Sequence, residues 1–367
     1  MPPSVSVCIP TYNSAHCLDR AIESVLAQTY KDFQILVIDN NSSDRTVALA
    51  RQYAERDNRL EVRPFDLNIG AYGNFSRCIT LAEGTYVKIL CSDDMLSPEC
   101  LAKMVAAFEQ HPSVSLVGCS QKNVTTTGEV ARIVSSYETE GVIPGRVAAR
   151  DILFKMSNDI GAPTSVMMKK EDLSDGFDRN YFFLADMDRW CRLLLKGDYY
   201  FLKEPLATLS LSDKTGTSVH FKTLLFLADF LRFRDRWANF MEEEGFSRQE
   251  WHQIIDDRII SYVDYVMLEH KLTAEEVAEA ARKLPAVTGL DYTAPLVEAL
   301  ATLVYYGFRK VHELNIDARW AHGQVSNLER ELDGMTNTSV WKMAGPLRRL
   351  REGFADKDSK QACDNKG

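Results

Sequence analysis

The sequence predicts an α/β fold with a mostly parallel sheet flanked by helices, followed by an all-helical region and a C-terminal coiled coil. Three observations carry this. Apolar runs with strand character alternate with helical periodicity over the first half of the chain. From about residue 218 only helical spacing remains. From Val311 the apolar positions tighten into a heptad pattern. The chain has 367 residues, 45% of them hydrophobic and 26% charged, a length that suits about two to three domains.

The elements follow in order. "VSVCIP" alternates and stops at Pro10, as a strand does. Leu18, Ile22, Val25 and Leu26 then recur with helical spacing. "FQILVID" is a continuous apolar run ending in Asp39, which suits a strand buried on both faces. "NNSSDRTVALARQYAERD" supplies capping residues and then a helix. "LEVRPF" reads as a third strand, Asn74 to Ala82 as a helix and "TYVKIL" as a fourth strand. Ser97 is placed to cap a helix with Pro98 at its first position; Leu101, Met104, Val105 and Phe108 line one face of it. "VSLVGCS" is a further strand.

The second half is organised differently. Phe221, Leu224, Leu225, Ala228 and Leu231 recur helically, as do Trp251, Ile254, Ile255, Ile259, Tyr262, Val263 and Val266. Thr273 with Glu276 forms a capping-box pattern. Val311, Leu314, Ala318, Ala321, Val325, Leu328, Leu332 and Met335 alternate steps of three and four, a seam that reads as a coiled coil or as one long helix packed on its own domain. Lys342, Arg348, Arg349 and Arg351 follow, interleaved with Trp341, Met343, Leu347 and Leu350. Such a stretch either lies on an anionic membrane surface or is a solvated tail. The expected domains are therefore 1–217 (sheet), 218–310 (helical), 311–336 (coiled coil) and 337–367 (basic tail).

Charge and composition exclude several roles. A net charge of −9 argues against general nucleic-acid binding. The eight cysteines contain no CxxC pair, so neither a zinc site nor a disulfide framework is expected, and reduced thiols in a cytoplasm are the simple reading. "MPPSVSVCIPTYN" lacks the basic start and apolar run of a signal peptide. No stretch approaches the roughly 20 apolar residues that span a bilayer.

In open α/β sheets, ligands bind beyond the carboxyl ends of the strands. Three polar clusters fall there: Thr11-Tyr12-Asn13, Asp39-Asn40-Asn41 and Ser92-Asp93-Asp94. Adjacent Asp93 and Asp94 repel each other. They are either acids favoured at a helix start or oxygen ligands for Mg²⁺ or Mn²⁺, which is commonly held by one or two carboxylates plus substrate phosphates.

The run "VSVCIPTYNSAHCLDRAIESVLAQTYKDFQILVIDNNSSDRT", with "LNIGAYGNFSRCITLAEGTYVKILCSDD", resembles the nucleotide-binding half of a family-2 glycosyltransferase with the GT-A fold, over about residues 4–110. The resemblance implies a nucleotide-sugar donor carrying UDP, GDP or dTDP. Thr11, Tyr12 and Asn13 would border the nucleotide, Asp39 would bond the base, and Asn68 and Gly70 would lie along it. Asn40 stands where the family more often has a second Asp, so the identity of the base is left open. Lys88 lies on the strand that leads to the acids and is either a nucleotide contact or a solvated or ion-paired strand residue. Asp93 would bind the ribose, and Asp94 would hold the divalent cation on the diphosphate.

"NYFFLADMDRWCRLLLKGDYYFL" resembles the family's acceptor-side helix, which implies Asp186 as the base, with Asp188 as the alternate. One residue separates them, so on a helix they point to different faces. Arg192 matches a family position and is either a substrate contact or part of an ion pair. "GAPTSVMMKK" resembles the strand under the acceptor cleft; its Thr164 either touches donor or acceptor or simply packs. The family often carries an Arg-x-His pair near the end of the catalytic domain. This chain has "LSLSDKTGTSVH" instead, where Lys214 and His220 either meet the diphosphate or are simply solvated.

The resemblance implies inverting transfer to a hydroxyl of a saccharide or lipid-linked acceptor, in bacterial surface-polysaccharide or glycolipid assembly. Beside the resemblance, the reduced thiols point to a cytoplasmic enzyme, the heptad seam to a homo-oligomer, and the basic tail, if it binds a membrane, to the inner face of one. Two rivals remain. A nucleotidyltransferase would show a Gly-rich phosphate loop after the first strand, and "PTYNSAH" has no glycine. A non-catalytic oligomeric scaffold would not need Asp39, Asp93, Asp94 and Asp186 together.

Overall fold

The computed structural model describes residues 2–125, 127–211 and 225–270. By contact, the chain divides into two units, one of Met1–Phe221 with Asp229–Ile255 and one of Lys222–Ala228 with Asp256–Gly367. Asp229–Ile255 thus group with the sheet, beyond the boundary expected at residue 217. The coiled-coil segment 311–336, the tail 337–367, the capping box at Thr273 and most of the helical region 218–310 lie outside the described residues.

The first unit opens with β1 (Val5–Thr11), α1 (Leu18–Leu26), β2 (Phe33–Asp39), α2 (Thr46–Ala54), β3 (Leu60–Pro64), α3 (Ala71–Leu81) and β4 (Tyr86–Ile89). After these come β5 (Met95–Leu96), α4 (Cys100–Gln110), β6 (Val114–Val124), β7 (Val130–Val134), β8 (Gly141–Ile143) and α5 (Gly145–Lys155). Then follow β9 (Val166–Lys169), α6 (Ala185–Leu194) and β10 (Asp198–Ser210). Two long helices, α7 (Leu225–Glu243) and α8 (Arg248–His270), complete the described chain. Among the described residues the strands form one mixed sheet of order β3-β2-β1-β4-β9-β6-β10-β5, with β7 beside β6 and β8 beside β10. The pairs β3–β2, β2–β1, β1–β4 and β6–β10 are parallel, while β9 runs antiparallel to both neighbours.

β1 is buried along its whole length, which explains its unbroken apolar character. Its pairing with β4 ends at Cys8, whereas its pairing with β2 continues to Thr11. Pro10, which has no N–H, therefore sits where the strand is bonded on one side only. Val5, Val7 and Ile9 join the core with α1 and α4. On the opposite face, the Cys8 thiol reaches the Cys78 carbonyl of α3 at 3.5 Å. Helix α1 buries Leu18, Ala21, Ile22 and Val25. An isolated helix this short would not hold in water. Burial at about 1.5–3 kcal/mol for each large apolar side chain holds it.

Two element boundaries differ from expectation. Helix α4 begins at Cys100, not at Ser97-Pro98. The Ser97 N–H donates to Leu206 O at 2.8 Å, tying it to β10, and the Pro98 carbonyl accepts the Thr29 N–H at 2.8 Å. The cap of α4 comes from far away: Gln28 Oε1 accepts the Leu101 N–H at 2.9 Å. Helix α3 begins at Ala71, three residues before the expected Asn74, because Gly70 turns the chain with φ +79°. That left-handed conformation favours glycine.

The described cysteines are free thiols. No described helix is long and apolar enough to cross a membrane.

Candidate active site

The site is built where β1, β2 and β4 end together. Register pairs Thr11 with Asp39 across β1 and β2. The Thr11 hydroxyl donates to Asp39 Oδ1 at 3.1 Å, and the Ser42 hydroxyl and N–H donate to Oδ1 and Oδ2. Asp39 is thus buried and holds the turn that follows β2. Asn13 and Asn41 take left-handed conformations with φ of 52° and 68°, which asparagine tolerates. They interlock the two loops, since Asn13 Oδ1 accepts the Ser43 N–H at 2.8 Å. Tyr12 stands 54% exposed at this edge, a large ring free to meet a ligand.

Asn40 is wholly committed. Its amide donates to Asn68 Oδ1 at 2.8 Å and to Gly70 O at 3.2 Å. Its Oδ1 accepts the Ile69 N–H at 3.0 Å and Arg77 Nη1 at 2.9 Å. The residue that raised a question about base identity is therefore the tie between β2 and the Asn68–Gly70 loop.

The acidic pair follows β4. Ser14 and Ser92 hydroxyls meet at 2.8 Å and join this loop to the end of β1. Asp94 is buried; Thr164 Oγ1 donates to its Oδ2 at 2.6 Å and the Ser210 N–H to its Oδ1 at 3.0 Å. The Ser210 hydroxyl donates to the Asp93 carbonyl at 2.6 Å. Burial and the neighbouring Asp93 charge push Asp94 up to about 7. Asp93 is partly exposed, and among the described residues its carboxylate has no hydrogen-bond or ion-pair partner.

Among the described residues, no three His, Cys, Asp or Glu side chains converge to hold a metal ion by themselves. The donor set nevertheless fits a cation brought with a diphosphate. Mg²⁺ takes one or two carboxylates plus phosphate oxygens. A carboxylate offers about four lone-pair sites, and Asp94 spends two of them on Thr164 and Ser210.

Asp186 lies in the first turn of α6 and is partly exposed. Its Oδ1 accepts the Met187 N–H at 2.8 Å and its Oδ2 accepts Asn158 Nδ2 at 2.7 Å. It is near enough to Tyr72 and to Cys91, beside the acidic pair, to raise the pKa of both. Burial pushes Asp186 up to about 6, against the two donated hydrogen bonds. Such a carboxylate is about nine-tenths ionised at pH 7 and still basic enough to accept a proton.

The structure separates Asp186 from Asp188. Asp188 is fully buried, 2.9 Å from Arg192 Nε and 2.8 Å from Arg236 Nε. Burial raises its pKa and the two arginines oppose the shift. Substituting Asp188→Asn removes one anion from Arg192, which keeps Asp175, and from Arg236, which keeps Asp178, and is expected to cost about 2 kcal/mol of stability in denaturant unfolding. The folded fraction should keep wild-type activity.

Other expected contacts fall elsewhere. Lys88 is fully buried, its ammonium donating to Thr164 O at 2.5 Å and Val166 O at 3.0 Å, so it braces β9 and presents no face to a nucleotide. Thr164 is fully buried and clamps Asp94, while its Oγ1 accepts the Cys91 N–H at 3.1 Å. Arg192 is held by Asp188, Asp175 and the Gly176 carbonyl, the ion pair that its position allowed. Lys214 and His220 lie outside the described residues, beyond Ser210, which bonds both acids. Sequence reasoning missed Ser14, Ser42, Asn158, Ser210 and Asp229, although Ser14, Ser42 and Ser210 lie in the same runs as the candidate site residues.

Residues 6–175 match the family model described as glycosyl transferase family 2. An uncharacterized glycosyltransferase of Methanocaldococcus jannaschii is 32% identical over 203 residues, 54% of this chain and 67% of that protein. One of Haemophilus influenzae is 24% identical over 222 residues, 59% of this chain and 68% of that protein. The fold is similar to the crystal structure of S. aureus TarS 1-349 in complex with UDP-GlcNAc. The TM-score is 0.60 at 18% identity, covering 91% of each chain. The mixed sheet with its flanking helices is consistent with the GT-A fold.

Proposed function

The chain belongs to glycosyl transferase family 2 and is a glycosyltransferase; we propose that it moves a sugar from a nucleoside-diphosphate sugar to a hydroxyl of a saccharide or lipid-linked acceptor, with inversion. The observation that carries this reading is the placement of Asp186. It is a partly exposed carboxylate with a pKa raised to about 6, near the loop that carries Asp93 and Asp94, and Asp188 is locked in ion pairs. Asp186 takes the proton from the acceptor hydroxyl as that oxygen attacks the anomeric carbon. The bond to the diphosphate breaks on the opposite side, so one displacement inverts the centre. Tyr12 borders the nucleotide, Asp93 bonds the ribose, and Asp39 and Asn40 keep the base-side loops in shape. Asp94, with the diphosphate, would hold Mg²⁺ or Mn²⁺, which neutralises charge on the leaving group.

In the same proposal, the heptad segment 311–336 joins copies of the chain and the tail 337–367 meets an anionic membrane surface, bringing the site to a surface-polysaccharide or glycolipid acceptor. The test is a thermal-shift screen of UDP, GDP and dTDP with Mg²⁺ or Mn²⁺. One nucleotide with its cation should raise Tm by about 5 °C at a hundredfold excess over Kd. No shift with any combination would reject the donor site.

A further inference from the structure

A general base works only if its carboxylate is held to a fraction of an ångström. Asp186 sits at a helix start, where backbone groups are unpaired and ends fray, so something must fix it. On one side is Asn158, whose amide donates to Asp186 Oδ2 at 2.7 Å. Asn158 is itself pinned, because its Oδ1 accepts the Gly161 N–H at 3.1 Å. The Gly161 carbonyl in turn accepts Trp190 Nε1 at 3.0 Å. Trp190 is one turn beyond Asp186 on α6, so the loop after α5 is stitched to the helix twice. Gly161 takes φ +104°, a backbone that favours glycine.

On the other side is Asp229 of α7, with no exposed surface. Its carboxylate accepts the N–H groups of Phe182, Phe183 and Leu184, the donors just ahead of α6. A carboxyl at a helix N-terminus is well placed for this; burial pushes Asp229 up to about 7 against these backbone donors. Tyr72 of α3 closes the cradle by donating to the Phe183 carbonyl at 3.3 Å. The fit extends to the far end of the helix. A Cβ on Gly145 would stand 2.1 Å from the carbonyls of Leu194 and Gly197, so α5 approaches the end of α6 at backbone distance.

We propose that Asn158 and Asp229 are the positioning residues of the base: Asn158 orients the Asp186 carboxylate and favours its ionised form, and Asp229 locks the backbone that presents it. This rests on the reading of Asp186 as the base. Among the described residues, the titratable groups that face Asp186 are the Tyr72 phenol from α3 and the Cys91 thiol after β4, both held protonated by burial. The Asn158 amide is thus the side-chain donor that acts on the carboxylate's proton affinity.

The test needs no donor. The Asp186 side-chain carboxyl is followed by ¹³C NMR against pH in the full chain, assigned by its loss in Asp186→Asn. The wild type should titrate near pH 6. Asn158→Ala should raise the midpoint by about one unit, because a donor to the charged form is gone. An unmoved midpoint overturns the role of Asn158. For Asp229→Asn, amide hydrogen exchange at residues 182–184 should speed up about tenfold or more, with Tm within a few degrees of wild type. Unchanged exchange there overturns the role of Asp229. A fully active Asp186→Asn would instead overturn the base and leave these two measurements standing.

Discussion

Asp186→Asn should lose about 10²–10⁴ of the transfer rate while nucleotide affinity stays within about twofold. Asparagine keeps the shape of the side chain, and its amide oxygen can still accept the bond from Asn158. It cannot accept the acceptor's proton. The effect should fall on kcat, since the carboxylate is spent on bond making and not on holding the donor. The pH profile should report the same group. Asp186 has its pKa raised to about 6 in the folded chain, and only its ionised form is a base. Wild-type kcat should therefore be nearly full at pH 7, fall to half near pH 6 and drop about tenfold per unit below that. Full activity in Asp186→Asn, or a flat profile from pH 7 to pH 5, would place the base elsewhere.

Asp94→Ala should remove the response of nucleotide binding to a divalent cation. The buried carboxylate is raised to about 7 by burial and by the Asp93 charge. A cation beside it would reverse that balance. Calorimetry with the tightest-binding nucleoside diphosphate should show about 100-fold weaker binding than wild type in Mg²⁺ or Mn²⁺, and no change when the cation is removed. Alanine also strips Thr164 and Ser210 of their acceptor, so Asp94→Asn is the control. It keeps an acceptor oxygen but not the charge, and should show the same loss of cation response. Undiminished cation-dependent affinity in Asp94→Asn would release Asp94 from this role.

Much of this was legible in the sequence, and the reason is local. Runs such as "FQILVID" and "VSVCIP" are buried strands followed by polar residues, so the ligand edge is legible in the sequence. The acidic pair falls at the end of β4, where an α/β sheet places its ligand. What stayed hidden depends on partners distant along the chain. Ser97 looks like a helix cap because Pro98 follows it, but the Leu206 carbonyl takes its N–H. Lys88 looks exposed or paired because lysine is seldom buried, yet two carbonyls from the segment at β9 satisfy it. Arg192 reads equally as a substrate contact or an ion pair until Asp175 and Asp188 close on it. Asp229 carries no signal at all: it sits in an amphipathic helix and its partners lie 45 to 47 residues earlier.

The most direct measurement is nucleoside-diphosphate release from UDP-, GDP- and dTDP-sugars in Mg²⁺ or Mn²⁺, comparing wild type with Asp186→Asn and titrating nucleotide affinity in parallel. Wild type should release the diphosphate from one nucleotide class. Asp186→Asn should bind that nucleotide as tightly and release it at about one-hundredth of the rate or less. Equal release by the two proteins, or none from any donor by wild type, would contradict the account.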